Sequence, residues 1–114
     1  MTPRRSTATL ADDARTEKEL ERQVKQLFKQ FGFVYYHTFR SQFSPSGFPD
    51  VHAIHTGQRR IVYVELKRTP KDKLRPDQEI YRDALLAVGA EWYRWDWSTP
   101  PEEMAAIMLR RPTP

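Results

Sequence analysis

The chain contains no cysteine, which excludes disulfides and thiolate metal sites and suits a reducing cytoplasm. It has no run approaching the ~20 apolar residues that a membrane span requires, and its first residues lack the apolar centre of a secretory signal. A soluble, cytoplasmic protein is the expectation. Its histidines, His37, His52 and His55, lack the spacing of a zinc site and read as structural residues of strands, with His37 the one able to approach an acidic cleft. No segment repeats. Hydrophobic residues are sparse at 39%, but aromatics at 12% concentrate the apolar area. At 114 residues the chain suffices for one core and not for two. The formal charge of +4, with an isoelectric point near 9.6, fits a polyanionic partner without requiring one.

What is present falls into a clear order. Residues 1–15 are polar and charged without an apolar period and read as a flexible arm. Thr16-x-x-Glu19 is a capping-box pattern, so a helix is expected to begin there. Leu20, Val24, Leu27, Phe28 and Phe31 follow at helical spacing as one apolar stripe, and Gly32 is the expected stop. Glu17 projects onto that stripe and Glu21 lies at its edge. A carboxylate aimed inward needs a partner, because an unpaired buried charge is costly.

Phe33 to Phe39 reads as a strand, and Arg40 to Pro49, rich in Ser, Pro and Gly, as a loop. Asp50 to His55 and Arg60 to Leu66 read as strands joined around Thr56-Gly57-Gln58-Arg59. After a basic loop, a helix is expected from Pro76 to Val88, with Pro at its first position and Gly89 beyond its end. Residues 91–96 suggest a strand and Glu102 to Leu109 a short helix, whose Met104, Ile107 and Met108 would pack on their own sheet or on a second protomer. Trp92, Trp95, Trp97 and Tyr93 are expected to supply core and interface area. The predicted order is α-β-β-β-α-β-α: an α/β domain over 16–110, a small mixed sheet flanked by helices, followed by a tail at 111–114.

The chemistry concentrates in Pro49-Asp50 and Glu65-Leu66-Lys67. With Gly57 and Gln58 as the central pair of a type II′ hairpin turn, cross-strand partners sum to 115. Asp50 then faces Glu65 across the ladder, and Lys67 shares their side of the sheet. Val62, Val64 and Leu66 form the core-facing row. Facing carboxylates repel unless a cation lies between them, and hard oxygen donors suit Mg²⁺ or Mn²⁺. Lys67 would stand ready to position or deprotonate a water, or to stabilise charge on a phosphate. Taken singly, each of these residues is an ordinary surface or turn residue; their conjunction is the signal. Arg40, Arg59, Arg60, Arg68, Lys71, Lys73 and Arg75 gather around it in sequence. Arg40, Arg68, Lys71, Lys73 and Arg75 are the candidate DNA contacts, with Lys71 and Lys73 the foremost phosphate ligands.

These segments (TEKELERQV, FGFVYYHT, SGFPDV, VYVELK, Pro76-Asp77-Gln78 and GAEWYRWDW) resemble the VRR-NUC branch of the PD-(D/E)xK nuclease superfamily, in particular its small stand-alone phage and bacterial members. The resemblance runs over most of residues 16–97. It implies a restriction endonuclease-like fold and Mg²⁺- or Mn²⁺-dependent hydrolysis of DNA phosphodiester bonds. Asp50 and Glu65 fall on the family's metal ligands, the Leu66 carbonyl on a further ligand, and Lys67 on the catalytic lysine. Glu17 falls on the acid of the first helix, with Glu21 the alternative, and Gln78 on an active-site support. Arg75 departs from the small hydroxyl cap usual before the Pro, a difference of about 1 kcal/mol in capping. Stand-alone relatives are similar to Holliday-junction resolvases, which implies a homodimer acting on branched or duplex DNA. The competing expectation is a non-catalytic DNA-binding or interaction module on the same scaffold; a structural assembly subunit ranks last.

Overall fold

The computed structural model describes residues 16–38 and 46–110. The N-terminal arm, Arg40 and the tail lie outside the described residues. Helix α1 spans Glu17–Gln30 and opens on the expected capping box: the Glu19 amide donates to Thr16 Oγ1 at 3.1 Å, and the Thr16 amide to Glu19 Oε1 at 3.1 Å. Reciprocal bonds of this kind satisfy amides that a helix start otherwise leaves unpaired. The helix ends at Phe31, and Gly32 turns the chain with φ +86°, a conformation that favours glycine.

Strands β1 (Val34–His37), β2 (Val51–His55), β3 (Arg60–Leu66) and β4 (Glu91–Trp95) form a four-stranded sheet in the order β1-β2-β3-β4. The first three are antiparallel neighbours, while β4 runs parallel to β3 and is reached through helix α2, Pro76–Ala87. A parallel pair needs such a crossover. Helix α3, Pro101–Leu109, closes the mixed α/β fold in the order read from the sequence. No described helix is long and apolar enough to cross a membrane.

The inward face of the sheet carries Val51, Ala53, Val62, Val64, Leu66 and Trp95, packed with Leu20, Val24 and Phe28 of α1 and Met104, Ile107 and Met108 of α3. Helix α3 thus lies in this chain's own core. Phe28 is its centre, edge-on to Phe33 at 5.0 Å and stacked on Trp95 at 5.8 Å. Burying a side chain of this size contributes about 2–3 kcal/mol. On the outward face His52 lies among Tyr36, Phe48 and Tyr63, while Val34, Tyr36, Ile54 and Ile61 remain exposed.

The β2–β3 register is the expected one, from Val51 opposite Val64 to His55 opposite Arg60. The turn is not. Gly57 is outside the left-handed region, Arg59 is inside it at φ 55°, and the Arg59 amide donates to Thr56 O at 3.1 Å. With His55 and Arg60 paired, the loop holds Thr56 to Arg59, and loops of that length are commonly built on a type I turn whose last residue reverses the chain. Arg60, expected near the site, is instead buried at the far end of β3. It forks onto Glu91 at 2.7 Å and donates to the Ile107 carbonyl at 2.8 Å, tying the hairpin to the end of α3.

Candidate active site

β2 begins and β3 ends at the same edge of the molecule, so the hairpin register carries Asp50 and Glu65 there together. Asp50 is held from several sides. The Thr38 amide donates to its carbonyl at 2.6 Å, Thr38 Oγ1 donates to the Pro49 carbonyl at 2.6 Å, and its own Oδ2 accepts from the Leu66 amide at 2.8 Å. The approach to Asp50 is fixed as well. Gly47 is buried with φ +92°, a Cβ there would come within 2.5 Å of the Asp77 main-chain oxygen, and the Ser46 hydroxyl donates to the Asp77 carboxylate. The Ser-Gly-Phe-Pro-Asp segment is thereby docked against the first turn of α2. Only glycine fits that approach.

Glu65 is 1% exposed and Lys67 7%, and buried charges of this kind require partners. Gln78 supplies them. Its Nε2 donates to Glu65 Oε2 at 2.7 Å, and its Oε1 accepts from Lys67 Nζ at 2.8 Å and from the Arg75 amide at 2.8 Å. Lys67 Nζ lies 3.8 Å from Glu65 Oε2. Arg75 makes no side-chain cap; the Gln78 side chain reaches back to the Arg75 amide, and the Gln78 amide that a hydroxyl cap would serve donates to Asp77 Oδ1 at 2.9 Å. Arg75 extends along the surface to Asp77 at 3.2 Å.

A cleft of about 280 Å³ opens beside Asp50, lined by Glu17, Lys18, Glu21, His37, Asp50 and Leu66; Glu65, Lys67 and Gln78 are not part of its lining. The expectation that Glu17 points into the core is corrected. It is exposed, because the first turn of α1 projects past the apolar contact that begins at Leu20, although it still borders the cleft. Glu21 is the half-buried carboxylate, accepting from Tyr35 Oη at 2.5 Å. Burial, that hydrogen bond and the charges of Glu21 and Asp50 together push the Tyr35 phenol well above its ordinary value, so it stays a donor. Neither Tyr35 nor Thr38 was singled out from the sequence. The available signal was alternation: Phe33, Tyr35 and His37 share one face of β1.

Comparison with protein-family models, with curated proteins and with solved structures gave no match. What the residues can do therefore rests on their chemistry. The donors at the cleft are chiefly hard oxygens, from Asp50, Glu21, Glu17 and the Leu66 main chain, with the His37 imidazole beside them, and the oxygen set suits Mg²⁺ or Mn²⁺. Among the described residues no three His, Asp or Glu side chains are gathered into a ready-made cage. Asp50 and Glu65 do not simply face each other, for the one turns to the Leu66 amide and the other to Gln78, since each buried anion takes the nearest N–H donor. This set fits a cation that keeps most of its water and binds through one or two carboxylates, as Mg²⁺ does. Lys71 and Lys73 are exposed on the loop directly after Lys67 and Arg68, whereas Arg59 and Arg60 stand at the opposite end of β3.

Proposed function

We propose that this protein is a Mg²⁺- or Mn²⁺-dependent nuclease of the VRR-NUC, restriction endonuclease-like type, hydrolysing phosphodiester bonds of duplex or branched DNA as a homodimer. The observation that carries this reading is the end of the β2–β3 hairpin. There a tethered Asp50 lines an acidic cleft, and next to it in the hairpin a buried Glu65 and a buried Lys67 are both held by Gln78.

Asp50, Glu65 and the Leu66 carbonyl, with Glu21 or Glu17 beyond them, would hold the cation. When bound, it supplies an acidified water and offsets the charge that builds on the phosphate. The chain's own residues do the rest. Lys67 brings an ammonium donor whose stem is packed and whose head is fixed by Gln78, so it can hold a phosphate oxygen or the attacking water without reorganising. Gln78 keeps Lys67 and Glu65 at a set spacing. Lys71, Lys73, Arg68 and Arg75 supply positive charge for the flanking phosphates. The exposed Val34, Tyr36, Ile54 and Ile61 on the outward face of the sheet support the homodimer part of the proposal.

A second reading, a DNA-binding module without catalysis, is favoured by one feature: Glu65 and Lys67 are engaged with Gln78, and no acidic cage is assembled. The two separate cleanly. Labelled duplex and four-way junction DNA are incubated with Mn²⁺, Mg²⁺ or EDTA, beside Asp50→Ala and Lys67→Ala. The nuclease reading expects metal-dependent cutting that both substitutions abolish or reduce by at least two orders of magnitude. Tight binding with no cutting under either metal establishes the second reading instead.

A further inference from the structure

The turn between β3 and α2 is built more tightly than a loop of lysines requires. Residues 68–75 read RTPKDKLR, with Arg68, Lys71, Lys73 and Arg75 against a single acid, Asp72. That acid is turned inward on its own backbone: Asp72 Oδ2 accepts from the amides of Arg68 at 3.2 Å and Thr69 at 3.1 Å, while the Asp72 amide donates to the Thr69 carbonyl at 3.1 Å. The Thr69 amide foremost holds the Asp72 carboxyl below its ordinary value, so the group is ionised and committed to the turn. Pro70 fixes another backbone angle.

The turn is then braced from outside. Arg94, on β4, donates through Nη2 to the carbonyls of Thr69 at 2.9 Å and Asp72 at 2.7 Å, and through Nη1 to the Asp96 carboxylate. Asp96 is 3% exposed and is itself fixed, accepting from the Ser98 amide at 2.7 Å and from the Ser98 hydroxyl. A guanidinium fork spreads fixed donors over two nitrogens and so spans two carbonyls and a carboxylate, whereas an ammonium has its three donors on a single nitrogen. The ends of the loop are closed too, by Lys67 on Gln78 and by the Trp97 amide on the Arg68 carbonyl.

An unbraced loop would have to be ordered when it met a ligand, at about 1–2 kcal/mol per residue. Here that ordering is complete beforehand, and what the rigid turn displays is Lys71 and Lys73. We infer that residues 68–73 form a pre-organised clamp for the phosphate backbone of a nucleic acid, and that Arg94, backed by Asp96, is its positioning residue and acts through Lys71 and Lys73. This inference rests on the DNA-directed reading of the site and adds to it a residue with no contact to the cleft.

The test is a double-mutant cycle on the full chain, read by fluorescence anisotropy with labelled duplex in EDTA over a range of salt, so that cutting plays no part. K71A/K73A should weaken binding on the order of tenfold and lower the salt slope by about two. Arg94→Gln should weaken it severalfold, and Arg94→Gln added to K71A/K73A should weaken it no further. Full additivity, or wild-type affinity in Arg94→Gln, overturns the inference. Absence of DNA binding by the wild-type chain overturns the underlying reading and the clamp with it. Because Arg94→Gln can compromise folding, amide exchange is measured on the wild-type chain without DNA. Protection at Arg68, Thr69 and Asp72 is expected, and exchange at the rate of an unstructured peptide overturns the brace.

Discussion

Gln78 has one amide, and three groups depend on it: the Glu65 carboxylate, the Lys67 ammonium and the Arg75 backbone. Gln78→Leu keeps the bulk of the side chain and deletes all three bonds, leaving two buried charges short of partners. We expect a loss of about 1–3 kcal/mol in urea unfolding and a fall in metal-dependent cutting of about 10–100-fold, the usual effect of removing a partner that orients active-site ligands. Unchanged cutting would mean that Lys67 is placed by its own packing. That Asp50, Glu65 and Lys67 sit at one end of the hairpin was legible in the sequence, because its register fixes which residues share that end; that the two carboxylates turn to different donors was not. Whether Glu17 or Glu21 enters the cleft was not legible, since both fall near the apolar stripe of α1. The choice of the half-buried group is made by Tyr35, a residue on another element, and helical spacing contains no such information.

Among the elements, the β2–β3 hairpin shows the same division. Its register followed from centring the turn between Gly57 and Gln58, whereas the turn type read from Gly57 did not hold, because the number of loop residues and not the presence of glycine determines where the left-handed residue falls. Helix α2 was legible from Pro76 and Gly89, yet Ile80 and Leu86 on it are exposed and Gln78 is its buried residue; a sequence pattern cannot tell that a polar side chain will be the one facing inward. At the other end of the hairpin Arg60 joins β3, β4 and α3. Arg60→Ala takes the ion pair from Glu91, which keeps the Tyr93 hydroxyl, and removes the donor shared by the carbonyls at the end of α3, and is expected to cost about 3 kcal/mol. Arg60→Met, which keeps the stem, should recover part of that loss in the same denaturant titration; equal losses would assign the effect to the lost hydrogen bonds and ion pair, with nothing from packing of the stem.

At the scale of the molecule the chain responds to acid through two part-buried carboxylates, Glu91 and Asp96, at opposite ends of β4. Burial pushes Glu91 upward, but hydrogen bonds from Arg60 and Tyr93 outweigh it and leave the group below its ordinary value; Asp96 is likewise raised by burial and lowered further by Ser98 and Arg94. A folded value below the unfolded one means that the stabilisation is present above the unfolded value, about 4, and is lost as pH falls through the folded value. Thermal unfolding between pH 7 and pH 3 should therefore show a Tm that drops below about pH 4, and Asp96→Asn should flatten that drop while lowering the plateau. A Tm that rises toward pH 3 contradicts the assignment.

The parallel pairing of β3 with β4 also sets an order of events in time. β1, β2 and β3 are neighbours both in sequence and in the sheet, and hairpins of this kind form in about 1–10 μs, whereas β4 joins only after the whole of α2 has been looped back at an entropic cost. The hairpin that carries Asp50 and Glu65 is thus expected to form before the strand bearing Arg94 and Trp95 joins it. A nascent polypeptide halted before β4 would carry Asp50 and Glu65 at the open end of the hairpin, but it would have neither the carbonyl of Trp95 to receive the Lys67 amide nor the guanidinium that sets the basic turn.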